Sequence, residues 1–215
     1  MAVEIPLFPL NAVLFPHVPM GLHIFEERYR TMMRDCTEQG TTFGVLAIRE
    51  GREVGAGARP HSVGTLAQLR EVDELPDGRY NIVVVGASRF RVNSFSHRMP
   101  YLSGAVTYLE DGAATPASAA LAARVIEVYR AYEESMRTMN KDAVTAGELP
   151  DEPELLSYLV AGGLRVTTAE RQRLLEIDSA DSRLRACLTV LRREVVLLDH
   201  MLGRSMAASP SIPLN

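Results

Sequence analysis

Two hydrophobic patterns divide the chain. Up to about residue 110, apolar positions form short runs or alternate with polar ones, as they do in β-strands. From about residue 118 they recur every three to four residues, as in amphipathic helices. We therefore expect a β-rich domain over residues 1–110, a linker over 111–117, a helical part over 118–204 and a flexible tail over 205–215.

The opening stretch, residues 5–36, changes from an extended to a helical pattern. Its first half carries four prolines among bulky apolar residues, which excludes a helix or a central strand because proline lacks a backbone donor. We expect an edge strand at 3–7 and a bend over 11–17. The second half predicts a helix over about 26–39, ended by Gly40, with Phe25, Tyr29, Met32 or Met33, and Cys36 on its apolar face.

Further extended segments complete the first half. The turn Pro76-Asp77-Gly78 predicts a hairpin, and Gly86 is expected to break the strand that follows it. After this break Phe90 and Val92 alternate with Arg89 and Arg91, which places the arginines on a solvated strand face. The expected strands are Phe43–Ile48, His61–Glu74, Tyr80–Val85, Ser88–Phe95 and Tyr101–Leu109, and Glu50–Pro60 is expected to be a loop. Short strands around one inserted helix favour a closed or half-closed barrel.

The second half predicts helices. One has an apolar face from Leu121 to Met139, and another begins at an Asp151 cap and ends at Gly162-Gly163. Thr167 and Glu170 form a capping box for a short helix that ends near Ile177. The strongest pattern, over 181–202, steps by four and three through six apolar residues before Gly203, which is typical of the core of a helical bundle.

Composition narrows the classes of function. Hydrophobic residues make up 47% and charged residues 23%, which is ordinary for a globular protein and argues against disorder. The formal net charge of −4 argues against a general nucleic-acid binder. Cys36 and Cys187 lie far apart on apolar helical faces, so two buried free thiols are expected. With no signal-peptide or membrane-spanning pattern, we expect a cytoplasmic protein that does not contact a membrane.

The sequence lacks the motifs of ATP-dependent proteolysis and of common hydrolases. A Walker A loop and a Ser–Lys dyad both need a lysine, and the one lysine, Lys141, follows no glycine loop. The five histidines form neither an HExxH motif nor a zinc-ligand spacing, and there is no GxSxG elbow. We therefore expect a protein without catalytic residues, cofactor or metal.

The order of several segments resembles a known family. PLFPLNAVLFP followed by LHIFEERYRTMMRDC, then GTLAQL, DGRYNIVVVGASRFRV and YLSGAV, and later ELPDEPELLSYLVAGG before two helices, is similar to the amino-terminal, substrate-binding domain of Lon protease. The resemblance implies an α+β fold: a PUA-like β-rich pseudo-barrel with one inserted helix, followed by an all-α helical bundle. It also implies a stand-alone form without the ATPase and protease domains, and a non-catalytic role in binding unfolded or extended polypeptide as an adaptor or regulator in proteolysis.

Three features are candidates for partner binding. The bend of the opener offers Phe15, Pro16, His17 and Met20, the loop over 51–57 is glycine-rich, and a basic face combines Arg28, Tyr29, Arg89 and Arg91. Core packing, plain flexibility and a solvated strand face are the respective alternatives. RNA binding through a PUA-like fold, or a small-molecule pocket, are the alternative functions. We expect a monomer or a weak homo-oligomer.

Overall fold

The computed structural model describes residues 3–53, 55, 57–112, 115, 118–140 and 147–207. The strands are β1 (Val3–Leu10), β2 (Pro19–Ile24), β3 (Phe43–Glu50), β4 (Arg59–Pro60), β5 (Val63–Glu74), β6 (Tyr80–Ser96) and β7 (Ser103–Leu109). The helices are α1 (Glu27–Gln39), α2 (Ser118–Met139), α3 (Pro153–Gly163), α4 (Thr168–Leu175) and α5 (Ala180–Ala207). The predicted α+β class is confirmed, with one helix inserted among the strands.

The sheet closes on itself. Its strands follow the order β1-β7-β6-β5-β3, and β1 also pairs with β3 in parallel, so these five strands form a ring. The remaining pairs of the ring are antiparallel. Strand β4 pairs with β3, and β2 pairs with β6 outside the ring. Closure pairs most edges of the ring strands and leaves β2 as an outer strand.

Strand β1 pairs with one neighbour along its first half and with another, on its other side, along its second half. Residues 3–6 pair with β7, and residues 7–10 pair with β3. Leu7 donates its N–H to the oxygen of Leu102 at 2.8 Å. Because backbone groups alternate sides along a strand, Pro6 faces the side where β3 has not begun, and Pro9 faces the side beyond the end of β7. The predicted edge character at 3–7 therefore holds over residues 3–6, where one side of β1 is unpaired, and the offset accommodates both prolines.

The predicted break at Gly86 is also wrong. Strand β6 runs through this position without interruption, and Pro16 forms an isolated bridge with Gly86. A Cβ at Gly86 would lie 2.1 Å from the oxygen of Phe15, which is closer than any side chain allows. Gly86 is needed because another segment of backbone crosses it closely, and not because the strand ends there.

Helix α1 and the first hairpin agree with the sequence patterns. Gly40 ends α1 in the left-handed conformation at φ 62°, as expected of a C-cap glycine. The hairpin of β5 and β6 turns at Gly78, whose φ is 76°. The apolar face of α1 packs with Phe8, Phe43 and other strand residues, but Phe25 precedes the helix and is nearly half exposed. Its predicted place on the buried face is therefore wrong.

The helical half departs from its predicted ends. The capping box of Thr167 and Glu170 is confirmed, but Glu152 rather than Asp151 is the N-cap of α3. The two glycines near its end lie inside α3, where a Cβ at Gly163 would meet the Tyr129 hydroxyl and one at Gly162 would meet Val18 at 2.7 Å. Helix α5 continues through Gly203 to Ala207. Gly162 and Gly163 are thus the last two residues of α3, as predicted, and they also permit close packing, whereas Gly203 does not end α5.

One hydrophobic cluster joins the two halves. Helix α5 packs against α2 and α3, and the core of these helices also contains Val13, Phe15, Ala47 and Val63 from the strand-rich half. The division at residues 110 and 118 stays a prediction. Most of the predicted tail and Lys141 lie outside the described residues. The predicted loop over 50–60 includes the short strand β4, and both thiols are buried and free as predicted.

Candidate functional site

The outer edge of β2 is the first part of the candidate site. Gly86 donates its N–H to the oxygen of Val18 at 3.1 Å, and the register from there to Ile24 runs without a shift. Because backbone groups alternate sides, Met20, Leu22 and Ile24 face β6, while Pro19, Gly21 and His23 face away from it. In the described part of the chain β2 pairs with β6 alone. The backbone groups of Gly21 and His23 are therefore open to another strand.

A slot of about 330 Å³ runs along this edge, and we call it the β2 slot. Apolar side chains of β1 line one wall, the start of α1 forms one end, and the side chain of Phe25 lies at its rim. Its lining consists of Phe8, Leu10, Gly21, Leu22, His23, Ile24, Phe25, Glu26, Tyr29 and Glu53. The Phe25 ring stacks on that of His23, with 6.0 Å between centroids. The slot thus combines a free strand edge with an exposed aromatic ring.

Polar contacts fix the wall formed by the glycine-rich loop. The carboxylate of Glu26 pairs with Arg28 at 3.0 Å and accepts the N–H of Gly55 at 3.3 Å. On the other side, Glu53 accepts the N–H of Asn11 at 3.0 Å. These contacts bring the loop, the start of α1 and the opener together around the slot, although they lie far apart in sequence.

Tyr29 is a buried residue that lines the slot. Its ring packs on Phe8 at 4.3 Å, and the Arg28 guanidinium lies 4.4 Å from its centroid. Burial raises the pKa of its hydroxyl to about 12, against the opposing effect of Arg28. Tyr29 therefore stays neutral at physiological pH and presents an apolar surface to the slot.

A second cluster lies at the seam between the strands and the helices, and we call it the seam cluster. Asp111 accepts hydrogen bonds from Arg89 at 2.5 Å, from Arg183 at 2.7 Å and from the Tyr158 hydroxyl. The side chains of Arg89, Arg183 and Asp111 are 1%, 0% and 3% exposed. Arg89 also donates to the oxygen of Leu175 at 2.9 Å. The Asp111 carboxylate thus ties β6 to α3 and α5, and Arg89 itself ties β6 to the end of α4.

The seam cluster borders a cleft of about 480 Å³ whose lining includes Pro16 and His17. His17 is exposed and has a left-handed backbone, with φ 63°, held by its N–H bond to the oxygen of Gly86 at 2.8 Å. Burial raises the pKa of the Tyr158 hydroxyl. Although polar groups converge here, they are hydrogen-bonded to one another and to nearby protein oxygens, apart from the Nε atoms of the two arginines. The geometry favours a structural cluster over a small-molecule site.

The predicted site residues fall into two groups. Phe15, Pro16, Tyr29 and Arg89 are buried, whereas His17 and Arg91 are exposed and Met20 and Arg28 are partly exposed. The expectation that Arg89 lies on a solvated face is wrong, because its guanidinium neutralises a buried carboxylate. Binding of a partner by any of these residues stays a prediction. Of the predicted residues, those exposed enough to contact a partner directly are His17, Met20, Arg28 and Arg91.

These arginines do not form a connected basic patch. Arg89 is buried against Asp111, and Arg28 is paired with Glu26. Arg91 is exposed on β6. A phosphate backbone is held by several clustered cations, and this arrangement offers no such cluster around Arg28, Arg89 and Arg91.

Some negative findings bear on the site. Among the described residues, no group of three or more His, Cys, Asp and Glu side chains could hold a metal ion. No described helix is long and apolar enough to cross a membrane. Burial raises the pKa of both thiols, to about 12 for Cys187, so neither is activated for chemistry.

Sequence reasoning missed the residues that shape the edge. The sequence pattern predicts Phe25 on the buried face of α1 and assigns no role to Gly21 or His23. Their role depends on which strand lies outside the ring, and the local pattern does not contain that information. Pro19 and Gly21 are a local signal that could have suggested an edge strand, since both residues are typical of strand edges.

Comparisons with known proteins agree on one family. The model of the ATP-dependent protease La (LON) substrate-binding domain matches residues 4–193. The Lon protease of Desulfovibrio desulfuricans is 28% identical over 197 residues, which are 89% of this chain and 22% of that protein. The Lon protease of Escherichia coli K12 is 24% identical over 199 residues, 91% of this chain and 25% of that protein. This chain thus spans about a quarter of the length of these relatives.

Solved structures show the same fold. A Lon N-terminal domain protein from Xanthomonas campestris is 28% identical, with a TM-score of 0.65, over 87% of this chain and 98% of that one. The N-terminal domain of Mycobacterium avium complex Lon protease is 18% identical, with a TM-score of 0.67, over 90% of this chain and 98% of that one. At 18% identity the second match is evidence for the fold alone.

Proposed function

This chain belongs to the family of Lon substrate-binding domains, and from that membership we propose that it binds unfolded or extended polypeptide without catalysing a reaction. The observation that carries the proposal is the outer edge of β2, which offers unpaired backbone groups beside an apolar slot and the exposed Phe25. Unfolded polypeptides present these same features, namely free backbone groups and apolar side chains.

The binding mode is addition of a strand to β2. An extended segment would pair with the backbone groups of Gly21 and His23, and every sequence except one with proline there can supply these bonds. Alternate side chains of the segment would enter the slot between Phe8 and Tyr29 or rest on Phe25. Pro19 supplies only a carbonyl and limits the added strand at one end. Such an edge would accept many unrelated sequences with low affinity each.

Other parts of the proposal depend on the family likeness alone. They are the PUA-like character of the closed sheet, the helical bundle, and an adaptor or regulator role with a protease. The cytoplasmic location and the monomeric or weakly oligomeric state are further proposals. RNA binding is the less supported alternative, because Arg28 and Arg89 are already paired with carboxylates and the net charge is −4.

The test compares two substitutions of Gly21. Proline removes the outward N–H, while alanine keeps it, and a Cβ at this position meets nothing within 4 Å. The ladder to β6 does not use this N–H, so both variants should fold. A labelled, uncharged peptide of alternating valine and serine, followed by fluorescence anisotropy, measures binding to the wild type and both variants.

We expect saturable binding on the order of tens of micromolar to the wild type and to Gly21→Ala. Gly21→Pro should bind about two- to tenfold more weakly, because one backbone hydrogen bond contributes about 0.5–1.5 kcal/mol. Equal binding by the proline and alanine variants would refute strand addition at β2. Absence of saturable binding to the wild type would refute polypeptide recognition by this edge altogether.

A further inference from the structure

A second groove, separate from the β2 slot, lies along the first half of β1. It has a volume of about 580 Å³ and is bounded by the first half of β1, the end of α1 and the segment that joins β6 to β7. Val3, Met99 and Tyr108 line it and are 44%, 45% and 45% exposed. Three large apolar side chains exposed around one groove are unusual for a surface that only faces water.

The offset of β1 explains why the groove is open. Over residues 3–6 this strand pairs with β7, and β3 joins it only from Leu7 onward. The segment Gly40–Thr42, which leads from α1 into β3, lines the groove instead of pairing. On the side that faces away from β7, β1 presents the backbone groups of Glu4, but Pro6 supplies no N–H. A full strand cannot be added here, so an occupant must be recognised by its side chains.

The charged groups that line the groove are two carboxylates and one arginine. Glu4 accepts the Ser103 hydroxyl at 3.0 Å, and Asp35 accepts the Tyr101 hydroxyl at 2.7 Å. These neutral donors orient both carboxylates, and no ion pair is found for either among the described residues. Helix α1 ends here with no basic residue in its last turn, so the negative end of its dipole adds to the field. Arg98 is the one basic side chain among the described lining residues.

We propose that this groove binds extended polypeptide segments that place an apolar side chain beside a lysine or arginine. The apolar side chain would contact Met99 and Tyr108, and the cationic group would lie between Asp35 and Glu4. The inference builds on the proposed polypeptide binding but concerns a separate surface and adds a preference for basic, apolar segments. Carboxylates that are already oriented need little rearrangement to hold a cation.

The test uses two labelled peptides of equal length that alternate leucine with arginine or leucine with glutamate. The matched variants are Asp35→Asn and Glu38→Gln, which remove the same charge from one helix, one inside the groove and one outside its lining. Asparagine still accepts the Tyr101 hydroxyl. Anisotropy titrations at low and high salt give the dissociation constants, and urea unfolding verifies that both variants fold.

We expect the arginine peptide to bind more tightly than the glutamate peptide, with a preference that falls as salt rises. Asp35→Asn should weaken binding of the arginine peptide about 1.4- to fivefold and Glu38→Gln should not, because an exposed ion pair contributes about 0.2–1 kcal/mol. Arg98→Gln should strengthen it, since it removes the opposing charge.

The inference is overturned if Asp35→Asn and Glu38→Gln bind the arginine peptide equally, or if the two peptides bind equally. If Gly21→Pro still weakens the valine–serine peptide in that case, the β2 edge stands and the groove alone fails. If the wild type binds none of the three peptides, both proposals fail.

Discussion

The seam cluster and β2 both contact β6, at neighbouring stretches of that strand. The polar groups of the seam are buried and paired, whereas the outward backbone groups of β2 are exposed and unpaired. Residues 80–85 of β6 carry β2, whose outward backbone groups are unpaired, and three residues past Gly86 the strand carries Arg89, which is fully buried. At the seam, one carboxylate accepts hydrogen bonds from two guanidiniums and a phenol.

The difference shows how the fold can keep recognition apart from stability. A buried charge must be paired or it destabilises the fold, so we expect stability to depend on the paired charges of the seam. An exposed backbone group is hydrated and can exchange water for a partner at little net cost. We therefore expect substitutions at the seam to change the free energy of unfolding, and substitutions at the β2 edge to change peptide affinity.

Asp111→Ala should have the largest effect. It leaves the guanidiniums of Arg89 and Arg183 buried without a counter-charge, and breaking a buried pair in this way costs about 3–5 kcal/mol. Urea unfolding measures the loss, with Glu110→Ala, an exposed neighbour, expected within about 0.5 kcal/mol of the wild type.

Asp111→Asn provides a milder version that should remain folded. Its affinity for the valine–serine peptide should match the wild type, because the β2 edge does not depend on the charge at the seam. A loss below about 1 kcal/mol for Asp111→Ala would show that the cluster does not hold the helices to the sheet. A loss of peptide affinity in folded Asp111→Asn would show that the two regions are coupled.

A pair of glycine substitutions should give a smaller, equally sharp contrast. A Cβ at Gly86 would lie 2.1 Å from the oxygen of Phe15, whereas one at Gly21 meets nothing within 4 Å. We expect Gly86→Ala to lower the free energy of unfolding by about 1–3 kcal/mol, as overpacking does. Gly21→Ala should be neutral or slightly stabilising. Equal effects would mean that the crossing of the opener over β6 adjusts freely.

Local sequence signals predicted those features that depend on neighbouring residues. The C-cap at Gly40, the turn at Gly78 and the capping box of Thr167 and Glu170 were all placed correctly, because each is made by residues within a few positions. The family and the α+β class followed from the order of several such segments.

Features that depend on distant segments were missed. Gly86 looks like a strand breaker, but it is required by the crossing of Phe15 and Pro16. Arg89 alternates with apolar residues like a solvated side chain, yet its partner Asp111 is 22 residues away and the second arginine on that carboxylate is a further 72. The open edge of β2 follows from closure of the ring without it. None of these facts is contained in a local pattern.

The smallest expected effect concerns the wall of the β2 slot. Glu26 holds the loop through Arg28 and the N–H of Gly55, at 3.0 Å and 3.3 Å, in contacts that water can reach. Glu26→Gln should therefore lower the free energy of unfolding by less than about 1 kcal/mol. It should also raise the rate of hydrogen exchange at the Gly55 amide about two- to fivefold, because weak local contacts control local opening.

Glu27→Gln, which removes a similar pair with Arg30 on the same helix turn, should leave the exchange rate of that amide unchanged. If both variants changed the exchange rate equally, the loop would respond to the charge of α1 as a whole, and the slot would lack a wall of its own. If neither variant changed the exchange rate, contacts other than those of Glu26 would hold the loop.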